Sequence, residues 1–222
     1  MSGAQYALVP EDMRKIKKFK IPIYSYDILR KAKKRRIDLF SLGLADQESA
    51  KEYISSLAAA LEPSTVFDFL APEDELAKPD GPMRGGAGTL GVITLGSVFE
   101  EKLKAITDPG LFGLAETAAL VFSETGLKVI TELINQEVSS EGLDLGIPRH
   151  VFACPAPEAD EQPTHQTDTA ALNACLTRLS ADKIGVTLNE GSLAPKYSII
   201  FSIPWLAKKK KKPAAGPAAA GK

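Results

Sequence analysis

Two β-patterned runs near the C-terminal end constrain the fold more than any other feature of this chain. In the segment 184–188 apolar residues alternate with small ones, and the β-rich run 197–203 follows after a turn of small residues closed by Pro195. Alternation with a period of two is typical of strands, so the two runs are predicted to form a hairpin-like unit. An extended run at 149–156 and a helix-like segment at 167–179 precede it.

The order of these segments favours an α+β domain with a central, mainly antiparallel sheet flanked by helices. Strands are expected near 65–70, 90–96, 149–154, 184–189 and 196–203. Helices are expected near 46–61, 97–106, 114–138 and 167–179. Because a long βαβ succession of apolar strands is absent, a doubly wound parallel sheet is excluded. With 222 residues and 44% hydrophobic content, the chain can bury the core of one domain.

Two local features inside the expected helices make specific predictions. Ser97, with Glu100 three residues later, has the spacing of a capping box at a helix N-terminus. Gly126 lies in the middle of the long helix expected at 114–138, where a buried element would normally carry a larger residue. It therefore predicts close packing of that helix against the sheet or another helix.

Basic residues are concentrated at the two ends of the chain. We divide it into a basic N-terminal segment (1–20), an α+β domain (21–206) and a disordered tail rich in Lys, Ala and Pro (207–222). The cationic run between Arg14 and Arg36 is either a pair of solvated helix faces or a surface that docks on an acidic partner, a membrane or nucleic acid. Nucleic acid is the least expected of these partners, because we predict no exposed aromatic residues interleaved with the cations.

Composition excludes several other classes of protein. With 27 basic and 28 acidic residues, the surface as a whole is not built for nucleic acid. No apolar stretch has the length of a membrane span and no signal peptide is present, so a cytoplasmic location and no membrane association are expected. The two cysteines and two histidines lack metal-ligand spacing, and an internal metal centre is not expected. A homo-oligomer is one of the states that the sequence allows.

The turn between the two β-patterned runs can be interpreted in two ways. Its small residues allow a flat or bulky ligand to approach the backbone, whose N–H and C=O groups are not expected to be used in a strand ladder. The alternative is an ordinary Gly/Ser turn. The glycine-rich stretch 85–91 is not a phosphate-binding loop, since it precedes a strand and lacks the Gly-Lys-Ser/Thr ending.

Together, these runs resemble the activation (reactivation) domain of cobalamin-dependent methionine synthase in its short, stand-alone form. In the first run the family has Arg-x-x-x-Gly-Tyr-Pro-Ala, and this chain has Arg149-His-Val-Phe-Ala-Cys-Pro-Ala156. In the second the family has Gly-Val-x-Leu-Thr-Glu-Ser, a small or apolar stretch and Pro-x-x-Ser-Val-Ser, and this chain has Gly185-Val-Thr-Leu-Asn-Glu-Gly-Ser-Leu-Ala-Pro-Lys-Tyr-Ser-Ile-Ile200. Segment 91–103 also resembles the short members, so the similarity covers about residues 20–205.

The resemblance implies an accessory protein that binds S-adenosylmethionine, a corrinoid, or both, for reductive reactivation in a methyltransferase system. Arg149 would bind the carboxylate of S-adenosylmethionine through a forked pair of hydrogen bonds, and Glu132 would pair with its ammonium group. Cobalamin would come from a partner, either a corrinoid protein or a methyltransferase subunit. The remaining contacts to the nucleoside and the corrin would come from Ala153, Cys154, Pro155, Ala156, Asn189, Glu190, Gly191, Ser192 and Pro195. No residue is assigned a catalytic role, and the chain has no complete active site of its own.

Departures from the family pattern support a second hypothesis. Ala153 and Cys154 replace the Gly and Tyr of the first run, and the second run is one residue short before Pro195. The alternative is therefore a non-catalytic scaffold, or a module that binds a corrinoid protein, which has lost S-adenosylmethionine binding. On this hypothesis Arg149 is a surface residue at the start of a strand, and Glu132 is an exposed helical residue.

Overall fold

The fold is organised around a six-stranded sheet in which every strand pairing is antiparallel. The computed structural model describes residues 13–44, 46–153 and 169–208. Its strands are β1 (Arg14–Lys17), β2 (Ser64–Leu70), β3 (Gly88–Thr94), β4 (Leu143–Leu145), β5 (Arg149–Ala153), β6 (Thr187–Asn189), β7 (Ser192–Ala194) and β8 (Ile199–Ala207). The order of strands in the sheet is β1-β2-β3-β8. Strands β4 and β5 both pair with the other edge of β8, one after the other along its length. Strands β6 and β7 form a separate hairpin. The predicted α+β class is confirmed.

Helices cover this sheet and extend beyond it. They are α1 (Ser25–Lys34), α2 (Gln47–Ala58), α3 (Ser97–Lys104), α4 (Pro109–Ser140) and α5 (Thr169–Arg178), with short 3-10 turns at Glu75–Ala77 and Ala181–Ile184. The C-terminal half of α4 packs on one face of the sheet, and its N-terminal half packs with α1, α2 and α3 in a helical cluster. The long helix therefore joins the two parts of the core.

Alternation along the strands gives the sheet two apolar faces. In β2, Phe67 and Phe69 pack with α4, whereas Val66 and Leu70 pack with α5 and the β6–β7 hairpin. We call these the α4 face and the α5 face. Because side chains alternate across a strand, each residue of the central strands can be assigned to one of the two faces. In β8, Ile200 belongs to the α5 face.

Gly126 brings α4 close to the sheet, as its position in the sequence predicts. A Cβ atom at this residue would lie 2.9 Å from Cδ1 of Ile93 on β3 and 3.1 Å from Cδ1 of Ile21. Both distances are shorter than ordinary carbon contacts. The predicted close packing is thus confirmed.

Two predictions about helix N-termini are wrong. Ser97 is the first residue of α3 and does not cap it, because Gly96 takes the cap position with a positive φ of 94°. Helix α4 begins at Pro109 and not near residue 114, because the Asp108 carboxylate accepts a hydrogen bond from the Leu111 N–H and caps the helix. Proline is favoured at the first position of a helix, where its missing N–H has no intrahelical partner.

Strand assignments differ from expectation at both ends of the chain. Residues 14–17, which the sequence assigns to a segment outside the domain, form the edge strand β1 paired with β2. The strand expected at 184–189 begins only at Thr187, since residues 181–184 form a 3-10 turn. Strand β8 extends to Ala207. The rest of the predicted Lys-rich tail, from residue 209, lies outside the described residues.

Candidate functional site

Arg149 is the first residue of β5, at the outer side of β8, and its side chain is exposed. It pairs across the strands with Ser202, and directly opposed residues place their side chains on the same face. Because Ser202 alternates with Phe201 and Ile203 of the α4 face, Arg149 lies on the α5 face. It makes no ion pair within the part of the chain that the structure describes. Its forked set of donors is therefore available to a carboxylate ligand.

Only part of the first candidate run is described. Ala153 ends β5 opposite Ile199 and packs with the cluster on the α4 face. Its side chain thus points away from the face on which Arg149 lies. Cys154, Pro155 and Ala156 lie outside the described residues.

The second candidate run is a tight hairpin. Glu190 and Gly191 have positive φ values of 51° and 79°, which is the conformation of a two-residue type I′ turn. Asn189 and Ser192 flank the turn as the last pair of the β6–β7 ladder, and all four residues are exposed. The expectation of a loop with free backbone groups is therefore wrong for the strands of the hairpin. Only the turn itself remains outside the ladder.

Apolar residues fix the hairpin to the sheet. Leu193 is buried and Leu188 is half-buried, and both pack in the cluster on the α5 face. The hairpin and Arg149 therefore lie on the same face of the sheet. Pro195, which follows β7, is buried and is preceded by a cis peptide bond.

Two half-buried carboxylates hold the connection from β7 to β8, residues 195–198. Glu100 on α3 accepts a hydrogen bond from the Lys196 N–H at 3.1 Å. Glu116 on α4 accepts one from the Tyr197 hydroxyl at 3.1 Å and lies 3.5 Å from the Lys196 ammonium group. Sequence reasoning missed both roles, and it assigned Glu100 to the capping box that does not form. The connection is held by side chains about 80 to 100 positions away in the sequence.

Further hydrogen bonds complete the attachment of this connection. The Ser123 hydroxyl on α4 donates to the Tyr197 carbonyl at 3.2 Å. The Ser198 hydroxyl lies 2.7 Å from the Pro195 carbonyl oxygen and 2.9 Å from Oγ1 of Thr94. Because α3, α4 and β3 all contribute, the base of the hairpin is joined rigidly to the core, whereas its turn is exposed.

The structure does not bring Glu132 to this set of residues. Glu132 is exposed on α4, the helix that packs on the opposite face of the sheet from Arg149. Among the carboxylates of the predicted site, Glu190 in the hairpin turn is the one that lies on the Arg149 face. Helical periodicity indicates that Glu132 is exposed, but it does not indicate which face of the sheet the helix covers.

A partly buried ion pair attaches α5 to the same face. Arg178, at the end of α5, donates from Nε to Oδ2 of Asp68 on β2 at 2.8 Å, and its Nη2 lies 3.5 Å from a carboxylate oxygen of Asp74. The Asp68 side chain is 8% exposed and that of Arg178 is 46% exposed. Asp68 also accepts from the Phe69 N–H at 2.9 Å. This pair fixes the position of α5 over the sheet.

Cys175, also on α5, is a core residue. It is fully buried among the apolar residues of the α5 face. Burial raises the pKa of its thiol to about 11, because desolvation disfavours the thiolate. A thiol with such a pKa stays protonated near neutral pH and is a poor nucleophile.

Two other kinds of feature are absent over the described ranges. Among residues 13–44, 46–153 and 169–208, no group of three or more His, Cys, Asp or Glu side chains is arranged to hold a metal ion. Over the same ranges, none of the helices combines the length and the apolar character needed to cross a membrane.

Comparison with known proteins gives distant structural likenesses. No protein-family model matches the chain, and no curated protein matches it significantly. A solved structure described as the MetH reactivation domain bound to AdoHcy is similar over 96% of this chain and 85% of that chain, with 12% sequence identity and a TM-score of 0.48. At this level of similarity we assign neither a family nor a ligand from the comparison.

Proposed function

We propose that this chain is an accessory protein that binds S-adenosylmethionine, a corrinoid, or both, for the reductive reactivation of a corrinoid-dependent methyltransferase system. The motif resemblance at 149–156 and 185–200 supports the proposal. The observation that carries it is the position of Arg149, an exposed residue that makes no ion pair within the described residues and shares a face with the β6–β7 hairpin.

The residues on this face fit the two charged groups of an amino-acid ligand. A carboxylate accepts two parallel hydrogen bonds from a guanidinium group such as that of Arg149. The ammonium group requires an acidic partner, and Glu190 takes this role in our proposal because Glu132 lies on the other side of the sheet. The proposed site thus retains Arg149 from the sequence prediction and changes the partner of the ammonium group.

In our proposal, a flat macrocycle would approach the hairpin turn. Glu190 and Gly191 project beyond the ladder, and the turn carries no large apolar side chain. Bound cobalamin would supply the reactive cobalt, and the residues of this chain would position the methyl donor beside it. A corrinoid protein or a methyltransferase subunit would bring the cofactor, and the enzymatic system would be complete only with that partner.

A scaffold that has lost S-adenosylmethionine binding is the second candidate. It is favoured by Ala153, whose side chain packs in the core of the α4 face, and by Cys154, which stands where the family pattern has Tyr. Such a protein would retain the fold and would still bind its partner, but it would not bind the methyl donor.

Calorimetric titration of the full chain with S-adenosylmethionine, and separately with hydroxocobalamin, tests the proposal. We expect micromolar binding of S-adenosylmethionine that Arg149→Ala weakens by about 1.5–3 kcal/mol, or about 10- to 150-fold, for loss of a charge-assisted contact. Glu190→Gln should weaken binding by a similar factor. Glu132→Gln is the matched control, because it removes a carboxylate from an exposed position on the opposite face and should leave the affinity unchanged.

Three outcomes decide between the candidates. Weaker binding for Arg149→Ala and Glu190→Gln alone supports the site on the α5 face. Weaker binding for Glu132→Gln would overturn the assignment of the ligand to that face. Absence of S-adenosylmethionine binding, with or without binding of hydroxocobalamin, would refute the first candidate and leave the scaffold.

A further inference from the structure

The cationic run between Arg14 and Arg36 lies antiparallel along most of α4. Three ion pairs mark its course: Arg14 to Glu137 at 3.8 Å, Lys31 to Glu124 at 2.8 Å and Arg35 to Glu116 at 3.9 Å. At a rise of 1.5 Å per residue, the stretch of α4 between positions 116 and 137 is about 30 Å long. The segment is therefore an extended, ordered surface feature and not a free tail.

Only some of its cations are used inside the protein. Besides the three ion pairs to α4, Lys18 pairs with Glu62 and Arg30 with Asp27, the single acidic residue between positions 13 and 37. The remaining cations are exposed and form no ion pair within the described residues. Lys15 and Lys17 alternate with Ile16, which packs on the α4 face, so their side chains lie on the other side of the edge strand β1. We call the other four residues the cationic strip: Lys20, Lys33, Lys34 and Arg36.

Exposed aromatic rings accompany these cations, so the expectation that none would interleave with them is wrong. Tyr24 is 53% exposed, Tyr26 is 73% exposed and Phe40 is 79% exposed. Tyr26 shares one face of α1 with Arg30 and Lys33, at spacings of four and seven residues. Tyr24 and Tyr26 are thus presented to solvent at the N-terminal end of α1, and Phe40 follows this helix by six residues.

We propose that the cationic strip and these rings bind single-stranded nucleic acid, an activity independent of the function proposed above. Phosphates accept contacts from Lys and Arg alike, and base stacking on aromatic side chains is tolerant of sequence. Three of the four cations are lysines, a residue depleted at the centre of protein–protein interfaces. This composition favours a phosphate backbone over an acidic protein surface.

Fluorescence anisotropy with labelled oligo-dT and oligo-U of about 20 nucleotides tests the proposal on the full chain. If all four cations contact phosphates, the plot of log affinity against log salt should have a slope of about −3. The triple variant Lys33→Gln, Lys34→Gln, Arg36→Gln should make this slope shallower by about 2. None of the three residues makes an ion pair within the described part of the chain, so the fold should be retained, as circular dichroism would verify.

The aromatic contribution is tested separately. Tyr26→Ala should lower the affinity about 5- to 150-fold without changing the salt slope, because it removes stacking and no charge. Replacing lysines 209–212 by Gln is the control for a second polycation in the chain, and it should leave most of the binding intact.

Several results would overturn the proposal. One is the absence of oligonucleotide binding at low salt. A second is that oligonucleotide binding is lost only when the lysines at 209–212 are replaced. A third is that the protein binds poly-glutamate as tightly as the oligonucleotides and that Tyr26→Ala has no effect. The last result would indicate an acidic protein as the partner of the strip.

Discussion

The Asp68–Arg178 ion pair should contribute measurably to stability, although it is one of several ion pairs of similar length. Replacing Arg178 by Met keeps much of the side-chain volume but removes the guanidinium group. The Asp68 carboxylate, 8% exposed, would then keep one hydrogen bond, from the Phe69 N–H, and lose its charge partner. A buried charge without its partner is strongly destabilising.

The size of the effect follows from the geometry and the exposure of both partners. A hydrogen bond to a charged group contributes about 1.5–3 kcal/mol, and breaking a fully buried pair costs about 3–5 kcal/mol. Because Arg178 is 46% exposed, solvent screens part of the interaction, and we expect a loss of about 2–3 kcal/mol in the free energy of unfolding. Arg178→Met with Asp68→Asn should be less destabilised than the sum of the two single variants.

Urea unfolding followed by tryptophan fluorescence measures this loss. Trp205 is the one tryptophan of the chain, and its ring centroid lies 5.1 Å from that of Phe69 on β2. Its signal therefore reports on the sheet that carries the ion pair. The matched control is Lys78→Met, which removes an ion pair 2.7 Å long whose Glu75 partner is 83% exposed.

The two variants should differ in stability because their ion pairs differ in burial, although the two pairs are similar in length. We expect a lower urea midpoint for Arg178→Met and an unchanged midpoint for Lys78→Met. Equal midpoints for both variants, or additive effects of Asp68→Asn and Arg178→Met, would refute the reasoning.

Three further predictions concern the core. In a Cys154→Ser variant, Cys175 should react with a thiol reagent at pH 8 only after unfolding, since burial raises its pKa to about 11; fast labelling of the native protein would contradict this. The raised pKa also implies a contribution to stability that is complete below pH 9 and declines as the pH rises towards 11, as urea midpoints across this range would show. Gly126→Ala should destabilise by about 1 kcal/mol, because the cost of overpacking against Ile93 exceeds the gain in helix propensity. The added change Ile93→Val should recover part of this loss, and no recovery would exclude that contact as the cause.

The fold could be predicted where burial leaves a local pattern. Strands β2 and β3 are buried throughout, and their bounds agree closely with the expected ones. Strand β1 could not be predicted, because three of its four residues are cations and only Ile16 packs in the core. Its conformation comes from pairing with β2, a partner about 50 residues later in the sequence.

The candidate site was predictable only in part, for a related reason. Arg149 stands out because of the motif around it, and its exposure agrees with a role in binding. Glu116 gives no local signal, since its contact with Tyr197 joins residues 81 positions apart. Glu132 and Glu190 are both exposed in the structure, and only the three-dimensional arrangement of α4, the sheet and the hairpin separates them.

The position of β8 in the sequence affects how the sheet can assemble. This strand pairs with β3, β4 and β5, yet it follows all of them along the chain. During synthesis, these earlier strands are made before their common partner exists, so their edges stay open until residues 199–207 emerge. Closure of the sheet is therefore a late step, and pairing over such sequence separations is slow. A chain that stops before residue 199 would expose three unpaired edges and should be prone to association.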